Sequence, residues 1–421
     1  EKFITTKDDY IKKIDFQLSK IYHGDGMIED IIKTWESLRI DLMDDTRFGG
    51  YLKRCRGLAK KVLENELTLD GLNNKEKIDR IVDYVKDQLH FNEITTKYAK
   101  LNPKEVFDSK SGNVAEINLF LNALLNEAGI EAYPMILSTR KHGKINTLYP
   151  LNSFTNYVAV VLKKEKMLVD ATQNSLDNML IPPNCINELG LIVDKKSEDQ
   201  WMRIHYGKAS VEFYNVNHKI NADELQVNSR LSSKNMMFEA DYYRRKWGNS
   251  TSKIKNYYED SFNDIEDVMI IGNDDRSKPY SYNFNATSEI EELGDYILFN
   301  PLNGIAISEN PFISEKRNYP VDFTYATQSI YKVNIFIPKN YKPLTLNKNI
   351  TLDNENINLS YKYDFNDKLN VINLVASYKF KKPIYGSEDY KSLKENTQKI
   401  VEIINEKLTL EKTNENLSAD K

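Results

Sequence analysis

The sequence has few of the residues that build disulfide frameworks or metal sites. Its 421 residues include only two cysteines, Cys55 and Cys185, which lie far apart and form no Cys-x-x-Cys spacing. The five histidines are scattered, and no two of them are four positions apart. We therefore expect no disulfide framework, no metal site and no cofactor.

The sequence also lacks an excess of one charge and any long apolar run. The 58 Lys and Arg residues nearly balance the 62 Asp and Glu residues, so the formal net charge is −4. A chain so close to neutral has no broad attraction for nucleic acid. No apolar stretch approaches the roughly 20 residues that a membrane-spanning helix needs. We therefore expect neither a nucleic-acid partner nor a membrane span.

Glycine and proline are sparse too, with 16 and 12 residues, which excludes a collagen-like or low-complexity chain. Apolar residues are abundant instead: 40% of the chain is hydrophobic and 11% is aromatic, including 26 tyrosines. There is enough apolar material for several hydrophobic cores. At roughly 100–200 residues per domain, the length predicts two to four domains.

The first half of the chain shows helical periodicity followed by short strands. Ile14, Phe16 and Leu18 alternate as in a strand, and we interpret residues 1–22 as the remnant of a preceding β domain. Apolar residues then recur with helical spacing, and short apolar runs follow. The predicted helices span 28–38, 48–62, 78–89 and 113–128, and the predicted strands span 131–138, 156–162 and 166–171. This order predicts an α+β core over residues 23–195.

The sequence pattern of the second half of the chain predicts mostly strands. Residues 196–300 predict a β-rich intermediate domain with one helix near 238–247, whose Arg244-Arg-Lys-Trp247 cluster we interpret as a solvated face. Strict alternation over 331–337, 357–365 and 372–380 predicts a C-terminal β-sandwich-like domain over residues 301–411. A final helix over 387–408 should pack on this sheet, and residues 412–421 read as a polar tail.

Several motifs of the core together resemble the transglutaminase-like superfamily, a papain-related fold. The motifs are Ser111-Gly-Asn-Val-Ala-Glu116, Glu127-Ala-Gly-Ile130, Ser138-Thr-Arg-Lys-His-Gly143, Thr155-Asn-Tyr157 and Leu168-Val-Asp-Ala-Thr172. The resemblance is greatest to multidomain proteins of certain Gram-negative bacteria, in which this core lies between β-rich domains of unknown function. It implies a catalytic Cys at the start of a helix, a His on a strand and an Asp on the next strand.

Two of these three catalytic positions have changed. Val114 stands at the position of the nucleophile and Tyr157 at that of the general base, while Asp170 retains the acid. Valine has no nucleophilic atom, and a phenol with a pKa of about 10 is a poor base at neutral pH. We therefore expect no catalytic residue here. Asn113, Glu116, Asn156 and His142 could line a remaining cleft, although the first two also suit a helix cap.

These features favour two functional classes, and a third, weaker interpretation is a purely structural subunit of a larger envelope assembly that docks through the strand edge of residues 10–21. The first is a catalytically degenerate protein that binds or scaffolds a protein or glycan of the bacterial cell envelope. The second is an enzyme of non-thiol mechanism that reuses the cleft for amide or glycan hydrolysis or transfer. The resemblance implies export to the periplasm or envelope, and the chain begins at Glu1 rather than at Met. The sequence predicts no ligand identity and no oligomeric state.

Overall fold

The computed structural model describes residues 1–12, 18–30, 34–195 and 201–413. Within them, the chain divides into two compact units, Ile4–Tyr206 and Gly207–Lys421 together with Glu1–Phe3. Ile14 and Phe16, which predict an early strand, lie outside the described residues. No helix of the described chain is both long enough and apolar enough to cross a membrane. The α+β fold class predicted from the sequence is confirmed.

Five α-helices lie in the described part of the first unit. They are α1 (Trp35–Asp44), α2 (Gly49–Asn65), α3 (Asn74–Gln88), α4 (Pro103–Ser109) and α5 (Val114–Glu127). Helix α5 lies at the centre of the unit, because all but its last two residues are buried. Its C-terminal end is marked by Gly129, whose φ of 80° suits glycine. The central helix therefore begins and ends where the sequence predicts.

The first predicted helix needs a correction. Helix α1 begins at Trp35 rather than near residue 28, because the Thr34 side chain accepts a hydrogen bond from the Ser37 N–H and caps the helix there. Ile28–Asp30 is instead a strand that pairs with Lys20–Tyr22. Helix α4 was not predicted, because seven residues are too few to show a clear helical period.

The described part of the first unit has nine strands, of which the first four form two separate pairs and the last five form one antiparallel sheet. In chain order they are β1 (Lys20–Tyr22), β2 (Ile28–Asp30), β3 (His90–Phe91), β4 (Ser111–Gly112), β5 (Tyr133–Leu137), β6 (Tyr157–Leu162), β7 (Met167–Val169), β8 (Glu188–Ile192) and β9 (Trp201–Ile204). The sheet order is β7-β6-β5-β8-β9. Every residue of β6 is buried. Strand β9 extends the unit beyond the predicted boundary at residue 195.

The second unit is built on one eight-stranded sheet. Its helices are α6 (Phe238–Trp247), α7 (Thr251–Tyr258) and α8 (Tyr390–Ile404). Its strands are β10 (Ser210–Asn221), β11 (Gln226–Met236), β12 (Ile265–Ile271), β13 (Tyr280–Glu289), β14 (Glu291–Leu293), β15 (Tyr296–Phe299), β16 (Val321–Asp322), β17 (Thr327–Phe336), β18 (Tyr341–Pro343), β19 (Asn347–Asp353), β20 (Ile357–Asn366), β21 (Val371–Phe380), β22 (Ile384–Tyr385) and β23 (Leu408–Lys412). The large sheet has the order β12-β13-β11-β10-β17-β21-β20-β19.

The predicted boundary at residue 300 falls inside this sheet. Strands β10 and β17 pair in parallel along ten residues, so they join the stretches that were predicted as separate domains. One hydrophobic core underlies both stretches and includes Val216, Phe284, Val333 and Leu374. The two stretches therefore share the eight-stranded sheet and its core, and do not form a β-rich intermediate domain followed by a separate β-sandwich-like domain.

Two further predictions in this unit are wrong. Helix α8 ends at Ile404, and the following residues form the strand β23, which pairs with β15. The basic cluster of α6 is not a solvated face, because Arg244 and Trp247 are buried. Nε and Nη2 of Arg244 donate to the carbonyl oxygens of Gly272 and Asp275, each at 3.0 Å. This arginine therefore holds a neighbouring loop in place.

Candidate degenerate active site

The site is built at the N-terminus of α5, where Asn113 and Glu116 form a reciprocal cap. Oδ1 of Asn113 accepts from the Glu116 N–H at 2.9 Å, and Oε2 of Glu116 accepts from the Asn113 N–H at 2.7 Å. Such a capping box satisfies two of the helix N–H groups that have no partner within the helix. Both side chains are only 1% exposed. They therefore cap the helix and do not line an open cleft.

The carboxylate of Glu116 also fixes the loop of residues 92–101 over the start of α5. Its Oε1 accepts from the backbone N–H groups of Lys100 and Leu101, each at 2.8 Å. Nδ2 of Asn113 donates to the carbonyl oxygen of Tyr98 at 3.1 Å. A buried carboxylate is stable where several N–H donors satisfy it. The sequence indicated the cap, and these loop contacts became visible only in the structure.

Val114, at the nucleophile position, lies beneath this loop. Its backbone N–H donates to the carbonyl oxygen of Ile94 at 3.3 Å, and its side chain is fully buried. In a thiol enzyme of this fold, the corresponding side chain must reach the substrate. The position is therefore closed by the fold as well as changed in chemistry.

The other two catalytic positions, Tyr157 and Asp170, lie in direct contact. The Tyr157 hydroxyl donates to Oδ2 of Asp170 at 2.9 Å, and the two side chains are 2% and 1% exposed. Tyr157 begins β6 and Asp170 directly follows β7, and these two strands pair. Tyr157 is therefore a core aromatic residue with a satisfied hydroxyl.

Asp170 accepts three further hydrogen bonds, from residues that the sequence did not single out. Nδ2 of Asn118 donates to its Oδ2 at 2.6 Å, while the backbone N–H and hydroxyl of Thr172 donate to its Oδ1 at 2.8 and 2.5 Å. Asn118 also accepts from the Ala171 N–H at 3.0 Å. Each carboxylate oxygen thus has two donors. A polar Asn in a fully buried helix, one turn after Val114, was the available signal for this partner.

Two titratable groups near the site, the phenol of Tyr157 and the thiol of Cys185, have raised pKa values. Burial, together with the charge of Asp170, raises the pKa of the Tyr157 phenol well above its usual value. The same causes raise the pKa of the buried thiol of Cys185, and a protonated thiol is a poor nucleophile. The phenol and the thiol are therefore held in their neutral forms.

Asn156 and His142 belong to a neighbouring turn. Oδ1 of Asn156 accepts from the Thr139 N–H at 2.9 Å, and its Nδ2 donates to the Thr139 hydroxyl at 3.0 Å. His142 is exposed, and its Nδ1 lies 3.0 Å from the hydroxyl of Ser138. Both side chains organise the turn that begins at Ser138, whereas Tyr157 and Asp170 are buried in the sheet.

A buried lysine ties the covering loop to the approach to β6. Nζ of Lys97 donates to the carbonyl oxygen of Thr155 at 2.6 Å and also to that of Asn152. The residue is 5% exposed, and burial lowers the pKa of its ammonium group to about 8. Since the charged form is bound to carbonyl groups at neutral pH, Lys97 acts as a cross-link over the site.

Comparisons with known proteins agree with this fold. A model of the transglutaminase-like superfamily matches residues 61–170, and a model of the domain of unknown function DUF3858 matches residues 295–410. A crystal structure of a candidate protease from Parabacteroides distasonis has a similar fold, with a TM-score of 0.55 and 12% sequence identity. The match covers 95% of this chain and 64% of that protein. No curated protein matches this chain.

The matched stretch contains the cap of α5, the buried Tyr157 and the saturated Asp170. The superfamily match also ends at Asp170, the position that the sequence resemblance assigns to the acid. Its remaining part includes α3 and α4. The chain therefore carries a transglutaminase-like superfamily domain, followed by a DUF3858 domain.

Proposed function

We propose that this chain is a catalytically degenerate transglutaminase-like protein that acts as a binding or scaffolding module of the bacterial cell envelope. The proposal depends most on one observation, the burial of all three catalytic positions: Val114, Tyr157 and Asp170 are each no more than 2% exposed. Without a nucleophile that substrate can reach, acyl transfer through a thiol has no first step. A binding role best explains why this fold is retained without a catalytic nucleophile.

The hydrogen-bond pattern supports the same proposal. A catalytic aspartate of a triad orients a histidine, which then takes up and returns a proton. Here Asp170 orients a phenol whose pKa is raised, so no group at this point exchanges protons near neutral pH. The capping contacts of Glu116 stabilise the covering loop in the same place. The former cleft serves as part of the core.

A direct assay of the full chain tests the absence of catalysis. Hydrolysis of a fluorogenic peptide library and incorporation of an amine into casein would be measured for the native protein and for a Tyr157→Phe, Cys185→Ser variant. We expect no difference between the two at any substrate concentration. Product that is formed by the native protein and lost in the variant would overturn the proposal, because it would require a reactive group at the site.

The binding half of the proposal needs its own experiment. Purified protein would be co-sedimented with isolated cell envelopes of a Gram-negative bacterium, with serum albumin as a control that should remain in the supernatant. We expect saturable sedimentation that persists after the envelopes are washed with salt. Protein that stays in the supernatant at every concentration would contradict an envelope-binding role.

A further inference from the structure

One row of polar side chains crosses the whole eight-stranded sheet of the second unit. Each strand contributes one residue, and neighbouring members are direct partners in the strand register. In sheet order the members are Glu266, Asn285, Arg230, Asn217, Asn334, Asn373, Asp364 and Asn347. We name this set the transverse row. Five of its eight members are asparagines.

The transverse row lies on the face opposite the hydrophobic core. Strand neighbours of its members, such as Val216, Val333 and Leu374, are buried in the core, and successive residues of a strand point to opposite faces. The members themselves are exposed or half-buried. At about 4.8 Å between strands, the row extends for about 34 Å across the sheet. It is therefore a long, solvent-facing band.

A concave site of about 770 Å³ lies at one end of the row. It is lined by the row members Asn217, Arg230, Glu266 and Asn285, and also by Phe336. Phe336 follows Asn334 by two positions in β17, so its ring shares the same face, and it is 45% exposed. The face thus combines amide groups with one aromatic surface in a hollow large enough for a small ligand.

Strand propensity does not explain so many asparagines in one row. Asparagine is depleted in strands because its side chain competes for the hydrogen bonds of the backbone. Within the row, Nδ2 of Asn334 donates to Oδ1 of Asn217 at 2.9 Å, and Nδ2 of Asn373 lies 3.5 Å from Oδ2 of Asp364. Each amide has two donors and two acceptor sites, so these contacts leave most of that capacity unused.

The charges and hydrogen-bonding groups of the transverse row indicate the class of ligand that it can bind. Its charges are one Arg and two carboxylates, and in the concave site Lys219 and Arg230 are balanced by Asp264 and Glu266, so the surface offers no net positive charge for a polyanion. Arg230 is exposed, so its guanidinium N–H groups can donate to a ligand. Sugar hydroxyls both donate and accept, as amides do, and the apolar face of a sugar ring packs on an aromatic ring. We propose that the transverse row binds a linear, uncharged oligosaccharide laid across the strands.

This inference rests on the binding role proposed above, and it names a ligand class and a surface for it. The surface belongs to the second unit, whereas the degenerate catalytic positions belong to the first. A failure to bind sugar would therefore leave the peptidase and amine-incorporation results unchanged. Conversely, a catalytic first unit would not alter the chemistry of the row.

The test uses the full chain and isothermal titration calorimetry with three probes: cellohexaose, chitohexaose and an uncharged hexapeptide of Gly and Ser. The variant Asn217→Ala, Asn334→Ala removes the central pair of the row. The matched control is Asn215→Ala, which lies on the same strand and the same face but outside the row. All of these side chains are at least partly exposed, so we expect the variants to fold, with circular dichroism spectra like that of the native protein.

We expect at least one of the two hexasaccharides to bind the native protein. The double variant should bind it about tenfold more weakly, since it loses the hydrogen bonds of two amides, and the control should bind as the native protein does. The inference is overturned if neither sugar binds at millimolar concentration, if the control loses as much affinity as the double variant, or if the peptide binds instead.

Discussion

The Tyr157 hydroxyl donates to Oδ2 of Asp170 at 2.9 Å, so the residues at the two positions that the family resemblance assigns to the base and the acid are partners of each other. Because Asn118 and Thr172 fill the remaining acceptor positions, the carboxylate is satisfied without solvent or substrate. A group of this kind contributes to the stability of the domain. Substitutions at these positions should therefore mainly change the free energy of unfolding.

Asp170→Ala should destabilise the protein far more than Tyr157→Phe. The first variant leaves the donors of Asn118, Tyr157 and Thr172 buried without their acceptor, and we expect a loss of about 3–5 kcal/mol. The second removes a single hydroxyl, and we expect a loss of about 1 kcal/mol. Urea unfolding followed by circular dichroism would measure both. Equal losses in the two variants would show that Asp170 does not organise the network.

The cap of α5 should be more important than the similar cap of α4. Glu116 accepts from three backbone N–H groups and is buried, whereas Glu105 caps α4 from an exposed position and accepts from the Asn102 N–H at 2.9 Å. We expect Glu116→Ala to lower the free energy of unfolding by about 3 kcal/mol and Glu105→Ala by about 1 kcal/mol. Limited proteolysis should also cut the loop of residues 92–101 faster in the first variant only. Similar proteolysis rates would contradict the role of Glu116 in holding this loop.

His218 should make the protein less stable in acid. Its Nδ1 lies 2.8 Å from the Ser229 hydroxyl and its Nε2 lies 3.0 Å from the Pro301 carbonyl oxygen, while burial lowers its pKa to about 4. Between pH 6.5 and 4 the unfolded chain binds a proton that the folded protein does not, so stability falls as the pH falls through this range. The loss should reach about 3 kcal/mol near pH 4.

The measurement is the melting temperature of the protein and of His218→Gln between pH 7 and pH 4. The variant should lose less stability on acidification than the native protein, because Gln has no titrating group. His205→Gln is a suitable control, since His205 is exposed. An acid dependence that is the same in the native protein and in His218→Gln would show that the folded state does not keep His218 neutral.

The parts of the fold that could be predicted are those that a local pattern determines. The period of the apolar residues located α5, and it gave the bounds of α6 closely. Strand β11 was missed because its core-facing positions include Ser229, Ser233 and Asn235, which hide the alternation expected of a strand. The parallel pairing of β10 with β17 joins residues more than a hundred positions apart, and no local pattern encodes it.

The candidate site likewise has some residues that a local motif locates and others whose roles depend on distant contacts. The motifs located Val114, Tyr157 and Asp170, and the helix signature identified Asn113 and Glu116 as a cap. The roles of Asn118 and Lys97 could not be inferred, because their partners lie on distant strands and loops. The burial of Val114 could not be predicted from the sequence either, since it depends on how a loop folds over the helix.

The pairing of β10 with β17 has a consequence for modular evolution. The DUF3858 match begins at residue 295, yet β17 completes its hydrogen bonds on β10, which comes before that point. A gene segment that begins at the start of the match would encode a chain in which β17 lacks its pairing partner β10. Part of the hydrophobic core would be missing as well. The segment that recombination could transfer as an intact folded unit is therefore longer than the DUF3858 match, and it includes residues from about 207 onward.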